Sequence, residues 1–137
     1  MNQERLSRIL ASGIWGTCGP TEDLAVKKLC EKLGQDDQPL FAVLTYSYAA
    51  AEEILDVAKR MALCNEKDPV TLKNFGFAGA ILTSDESLYE IFYQIHHCGH
   101  RPGISATVDL SKETIVGGDM RITEWQAAEL LEMLDQI

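Results

Sequence analysis

Residues 39–64, PLFAVLTYSYAAAEEILDVAKRMALC, read as a strand, a turn and a helix in direct succession. The run at residues 41–44 is short and continuously apolar, which is typical of a strand buried on both faces. Beyond the turn, apolar residues recur at helical spacing: Ile54, Leu55, Ala58, Met61 and Ala62. This stretch therefore predicts a buried strand that leads straight into an amphipathic helix.

The turn at residues 45–48 is the predicted ligand site. A helix that begins just beyond a buried strand points free backbone N–H groups at that place, and in α/β proteins these groups often hold an anion or a phosphate. Many turns of this kind bind nothing, so a purely structural turn is the alternative.

Composition limits the classes of protein to consider. The 137 residues are enough for one domain with a single core, and 46% of them are hydrophobic. The chain has 21 acidic and 12 basic residues, and its formal charge is −9. This negative charge argues against nucleic acid as a partner. No apolar run is long enough for a membrane span, and the amino terminus lacks a signal-peptide core, so we expect a cytoplasmic protein without membrane contacts.

Cysteines and histidines give no metal site. Cys18, Cys30, Cys64 and Cys98 are irregularly spaced without a CxxC motif, and we expect reduced thiols. Residues 96–100, HHCGH, contain ligand types, but only the first and last histidines have helical i, i+4 spacing, with a glycine expected to end the helix between them. We interpret this segment as a polar helix end whose imidazoles favour the negative end of the helix dipole.

The remaining chain alternates helices and strands. Helices are predicted near residues 6–10, 21–33, 85–98 and 123–134, with Thr21, Ser84 or Asp85, and Thr123 as caps, and Thr123 with Gln126 forms a capping box. Further strands are predicted at residues 79–83 and 104–109, with a brief one at 114–116. Residues 70–77 fit a short strand or an irregular excursion. This order predicts an α/β fold of three layers, a mainly parallel sheet with flanking helices.

Residues 1–137 are thus expected to form one α/β domain. The sequence stops directly after a predicted helix, where such folds continue with another strand, and the domain therefore looks incomplete. An uncovered sheet edge needs a partner. We expect a homo-oligomer or a complex with a second chain.

Several strings resemble the amino-terminal third of the DegT/StrS family, the sugar aminotransferases that use pyridoxal phosphate on a type I aminotransferase fold. Residues 12–20, SGIWGTCGP, are similar to the family's opening loop, and residues 41–50, FAVLTYSYAA, fall where the family has a strand and a Ser-Gly-Thr-Ala-Ala turn. Residues 99–102, GHRP, and 108–114, VDLSKET, resemble the family's Gly-x-x-Pro and Val-Asp-Ile-Asp-Pro-Glu-Thr segments.

The resemblance implies a large-domain fragment of a type I transferase and a cofactor site on the turn. Ser47 and Tyr48 stand where the family cups the phosphate, and Tyr89 stands beside Leu88 at the place of the aromatic residue that stacks on the pyridine ring. The turn is degenerate, because tyrosines replace small residues at this place. Neither the family's Schiff-base lysine nor its pyridine-binding aspartate has a counterpart in this sequence, so we assign no catalytic residue.

The resulting hypothesis is a non-catalytic, aminotransferase-like binding or partner subunit, without cofactor when alone. One alternative is a chain of a split aminotransferase that holds pyridoxal phosphate only in a complex, where it is active as a transferase. The other is a stand-alone small-molecule-binding domain. The sequence leaves all three open and names neither substrate nor partner.

Overall fold

The computed structural model describes residues 20–34, 38–97 and 119–136. Within them lie four helices and three strands, in the order α1 (Pro20–Leu33), β1 (Phe41–Thr45), α2 (Tyr48–Arg60), β2 (Val70–Asn74), β3 (Gly79–Thr83), α3 (Glu86–His96) and α4 (Glu124–Asp135). The predicted strand, turn and helix of residues 39–64 are confirmed as β1 and α2.

The three strands form one sheet in the order β1-β3-β2, and both pairings are antiparallel. Ile81 lies at its centre, opposite Val43 on one side and Leu72 on the other. The prediction of a mainly parallel sheet is therefore wrong for the described strands.

The antiparallel pairing results from residues 70–77, the segment for which the sequence left open a short strand or an irregular excursion. Residues 70–74 are a strand, and a tight turn follows in which the Phe75 N–H donates to the Ala78 carbonyl oxygen at 2.9 Å. Gly76 has a φ of 85°, a backbone conformation that side chains disfavour. The helical crossover from β1 thus leads to β2, and the hairpin then returns the chain as β3, antiparallel to both neighbours.

Helices cover both faces of the sheet, in agreement with the predicted layers. On one face α1 and α4 pack over a core that includes Leu29, Leu44, Leu82, Leu130 and Leu134. On the other face α2 and α3 enclose a second core, which includes Val43, Ile54, Ile81, Phe92 and Ile95. Alternate residues of a strand point to opposite faces of the sheet, so β1 and β3 contribute to both cores.

The helix caps agree with the sequence patterns at α3 and α4 and differ at α1. Asp85 accepts hydrogen bonds from the N–H groups of Ser87 and Leu88, and Thr123 and Gln126 form the predicted capping box. Helix α1 begins at Pro20, so Thr21, the predicted cap, lies inside its first turn. A proline at the first helical position is favourable because no helical partner is lost there.

Some predictions fall outside the described residues. These are the helix at 6–10, the loop at 12–19, the strands at 104–109 and 114–116, Cys18, Cys98 and His100. Cys30 and Cys64 are free thiols, as expected. Within the described part of the chain, no helix combines the length and the apolar character that crossing a membrane requires.

Candidate functional site

The turn between β1 and α2 is held by its own hydroxyl groups. The buried Thr45 side chain donates from Oγ1 to the carbonyl oxygen of Ser47 at 2.7 Å. Ser47 is extended, with φ −155° and ψ 162°, and its Oγ accepts from the N–H of Ala50 at 3.0 Å. Ser47 is therefore the N-cap of α2, and one of the helix's free N–H groups is already satisfied.

Gly79, the first residue of β3, lies directly against this turn. A Cβ atom at Gly79 would stand 2.7 Å from both the Ser47 carbonyl oxygen and the Tyr48 Cα. Real Cβ atoms do not approach that closely, so only glycine allows β3 to pack here. Sequence patterns placed Gly79 at the start of a strand but missed this contact, since nothing local in the sequence reports it.

The side chain of Gln126, in α4, hydrogen-bonds to the backbone of the turn. The Gln126 amide donates from Nε2 to the carbonyl oxygens of Tyr46, at 2.6 Å, and Phe77, at 2.7 Å. Its Oε1 accepts from the N–H of Thr123 at 3.0 Å. Gln126 thus joins the end of β1, the β2–β3 hairpin and the start of α4, a role beyond the capping box that the sequence predicted.

Backbone groups of the segment before α4 meet the same turn. The Tyr46 N–H donates to the Met120 carbonyl oxygen at 3.3 Å, and Arg121 forms an antiparallel bridge with Thr45. The Arg121 guanidinium reaches both oxygens of Asp119, at 2.9 and 3.2 Å, and lies 3.1 Å from His97 Nε2. The hydrogen bond from Arg121 lowers the pKa of Asp119. This positive charge beside the turn is thus compensated by a carboxylate.

The three residues predicted to bind cofactor are not brought together. Ser47 and Tyr48 are neighbours at the carboxyl end of β1. Tyr89 stacks on Phe41, with ring centroids 5.4 Å apart and planes 28° from parallel. Phe41 begins β1 and Thr45 ends it, four residues and about 13 Å away. The role of each in cofactor binding stays a prediction.

His96 differs from its predicted role at a polar helix end. Its side chain is 1% exposed, and burial lowers its pKa to about 4, so the ring is neutral at pH 7. Nδ1 lies 2.6 Å from the Tyr93 carbonyl oxygen and donates to it in the neutral ring. The imidazole therefore contributes no cation to the helix dipole. Among the described residues, no group of three or more potential ligands is placed to hold a metal.

The chemistry available at the turn is limited. Residues 45–51 carry two hydroxyls from Thr45 and Ser47 and two phenols from Tyr46 and Tyr48, without a carboxylate, imidazole or amine. The N–H groups of Tyr48 and Ala49 point out of the helix start, as the first amides of any helix do. The turn can offer hydrogen-bond donors to an anion, and its own side chains supply no acid–base pair.

A comparison with protein-family models matches residues 70–137 to the DegT/DnrJ/EryC1/StrS aminotransferase family. No curated protein and no solved structure was found to match the chain. The matched range contains the resembling strings at residues 99–102 and 108–114 but neither those at 12–20 and 41–50 nor the turn itself. Through this matched half, the chain belongs to the DegT/DnrJ/EryC1/StrS aminotransferase family.

Proposed function

We propose that this chain is an aminotransferase-like binding or partner subunit, one unit over residues 1–137, that does not catalyse transamination by itself. The observation that carries the proposal is the closed turn between β1 and α2. Ser47 Oγ is engaged by the Ala50 N–H, and Thr45 Oγ1 is engaged by the Ser47 carbonyl oxygen. The side-chain oxygens of Thr45 and Ser47 thus help to hold the turn together, and the N–H groups of Tyr48 and Ala49 are the backbone donors that remain at the helix start.

The residues present do not fit pyridoxal phosphate at this turn. A phosphate needs several converging donors and close backbone approach, as glycine-rich turns provide. Here Tyr46 and Tyr48 flank the site, and the Arg121 charge is directed to Asp119. The ring-stacking candidate, Tyr89, packs on Phe41 at the other end of β1. We therefore assign no catalytic step to the chain alone.

A partner role is supported by exposed aromatic side chains around Gln126. Tyr46, Phe77 and Trp125 are 48%, 36% and 50% exposed. Gln126 donates hydrogen bonds to the backbone carbonyl oxygens of Tyr46 and Phe77, and Trp125 is its neighbour in the sequence. Aromatic residues are enriched in protein interfaces, where they provide large contact areas at low entropic cost. We call these three residues the aromatic rim, and we propose that it contacts a second copy or another aminotransferase-like chain.

The split-enzyme alternative is favoured by one feature of the same turn. The N–H groups of Tyr48 and Ala49 lie at the positive end of α2, where an anion gains about 0.3–1 kcal/mol in an exposed setting. If a second chain brought the lysine, the pyridine-binding aspartate and further phosphate donors, Ser47 and Tyr48 would form one wall of a composite site.

Calorimetric titration of the purified chain with pyridoxal phosphate tests the proposal. We expect no binding in the low-micromolar range and no absorbance band of a lysine aldimine. Inorganic phosphate serves as the control for simple anion binding at the α2 amino terminus. Low-micromolar cofactor binding that is lost in Ser47→Asp, together with a borohydride-sensitive band, would contradict the closed turn and favour the split enzyme.

A further inference from the structure

A cleft of about 390 Å³ runs along the outer edge of β1, between α1 and α3. Tyr89, Tyr93 and His96 of α3 form one wall, and Glu22, Asp23 and Lys27 of α1 form the other. We call it the edge cleft. It is separate from the turn at Ser47. Of the residues discussed under the proposed function, Tyr89 lines the cleft, and its stacking partner Phe41 lies next to it.

The α3 wall is a continuous series of rings. Tyr89 and Tyr93 have centroids 6.0 Å apart, and Tyr93 meets His96 edge-on at 4.7 Å. Phe41 stacks on Tyr89 from the strand side and extends the series. The faces of tyrosine rings carry negative electrostatic potential and attract cations, and this attraction is stronger where water is excluded.

His96 adds a hydrogen-bond acceptor to this wall. With Nδ1 donating to Tyr93, Nε2 carries a lone pair, and no group in the described part of the chain donates to it. The lowered pKa keeps the ring neutral at pH 7 and keeps this lone pair available. His96 lines the cleft although it is only 1% exposed, and Nε2 is the ring nitrogen that is not used in the bond to Tyr93.

The strand edge itself presents further polar groups. The other edge of β1 is paired with β3, and on the cleft side Tyr46 donates its N–H to Met120. Backbone groups of a strand alternate between its two edges, so those of Ala42 face the same side as those of Tyr46. The Ala42 carbonyl oxygen is therefore a second acceptor on the edge that borders the cleft.

Among the described residues that line the cleft, carboxylates outnumber ammonium groups. Two carboxylates, Glu22 and Asp23, oppose one ammonium, Lys27. Their effect reaches the opposite wall, since the pKa of the Tyr89 phenol is raised by burial and then by the charges of Glu22 and Asp23. Asp23 is exposed, and no ion pair is found for it among the described residues.

We propose that the edge cleft binds a small organic ammonium ion with an apolar body. The aromatic wall matches the apolar body and the positive charge, His96 Nε2 and the Ala42 carbonyl accept N–H hydrogens, and the carboxylates of α1 supply the opposite charge. A neutral ligand of the same shape gains only the apolar contact. An anion is repelled by the two carboxylates of α1, and the exposed Lys27 is its one charged donor among the described lining residues.

Two-dimensional NMR of the full chain during titration with benzylammonium tests this, with benzyl alcohol as the neutral isostere. We expect saturable shifts at residues 89–96 with benzylammonium and clearly weaker binding of the alcohol. Asp23→Asn should weaken benzylammonium binding about twofold to fivefold, and Lys27→Gln should strengthen it by a similar factor, because each removes one exposed charge. Both positions are exposed, so folding is retained.

Tyr89→Leu, checked for folding by circular dichroism, should reduce binding of the ammonium ion more than that of the alcohol. The proposal is overturned if benzylammonium gives no saturable shift in α3, or if the alcohol binds equally well. It is also overturned if Asp23→Asn and Lys27→Gln change the affinity in the same direction. None of these results depends on pyridoxal phosphate, so the test stands apart from that of the proposed function.

Discussion

The side-chain amide of Gln126 lies 2.6 Å from the carbonyl oxygen of Tyr46, a residue 80 positions earlier in the chain. The same nitrogen reaches the carbonyl oxygen of Phe77 at 2.7 Å. A backbone carbonyl at the end of a strand has no partner in the ladder, and one side chain here serves two such groups. Gln126 thus connects the two turns at this end of the sheet to the final helix.

Replacing Gln126 with glutamate separates its two roles. Glutamate keeps the capping box, because its carboxylate still accepts from the Thr123 N–H, but it removes the donor to Tyr46 and Phe77. Two lost hydrogen bonds and two carbonyls facing a carboxylate should lower the free energy of unfolding by about 1–3 kcal/mol. Urea denaturation followed by circular dichroism measures this change.

Gln38→Glu is the matched control for that variant, since Gln38 is exposed and no side-chain hydrogen bond is found for it within the described residues. We expect a change of at most about 0.5 kcal/mol there. Equal stability of the Gln126→Glu and Gln38→Glu proteins would show that the bridge to the two turns contributes nothing.

Ser47→Ala tests the cap that closes the candidate turn. The variant leaves the Ala50 N–H without its acceptor and should cost about 1 kcal/mol of stability. Ser87→Ala, an exposed serine inside the first turn of α3, is the control and should be nearly neutral. A Ser47→Ala protein as stable as the control would mean that the Ser47 hydroxyl is not committed to the helix, which would reopen the turn as an anion site.

Local patterns predicted the elements that depend on local chemistry. The apolar run before Thr45, the helical spacing after Ser47 and the pair Thr123 and Gln126 each act over a few residues, and each produced the expected element. Strand direction depends instead on the hairpin after β2. Residues 70–74 are mostly exposed on an edge, so they lack the apolar signature of a buried strand, and the antiparallel sheet was missed.

The candidate site shows the same division. The cap that Ser47 forms acts within three residues, although Ser47 was selected only through the family resemblance, as a phosphate-turn residue. The contacts of Gly79 and the second role of Gln126 join positions more than 30 residues apart. Sequence spacing cannot report such contacts. The burial of His96 was missed for the same reason, since its helix packs against β1, which lies far away in the sequence, and its ring also meets Tyr93.

His96 makes stability depend on pH in a definite direction. Its folded-state pKa of about 4 lies below the unfolded value of 6.5, so the unfolded chain binds more protons between these values. The contribution is fully present above pH 6.5 and is lost as the pH falls to about 4, with a total of up to about 3 kcal/mol. Asp119, whose pKa is lowered by Arg121, acts in the same direction only below the usual carboxyl range.

Urea denaturation at pH 7, 6, 5 and 4 of the wild type and of His96→Phe measures the effect. The wild type should lose more stability than the variant across this interval, because phenylalanine cannot take up the proton. Parallel curves for the two proteins would show that His96 is accessible to protonation in the fold, contrary to its burial.

The aromatic rim predicts self-association or stable pairing with another chain. Light scattering of the wild type at high micromolar concentration should give a mass above the 15.2 kDa of one chain. Trp125→Ser removes the most exposed member of the rim and should shift the protein towards the monomer, since aromatic anchors dominate the binding energy of interfaces. Leu24→Ser is the matched control, because Leu24 is 57% exposed on α1, outside the rim. A wild type that stays monomeric, both alone and with an aminotransferase-like chain, would contradict the prediction, as would an equal effect of the two substitutions.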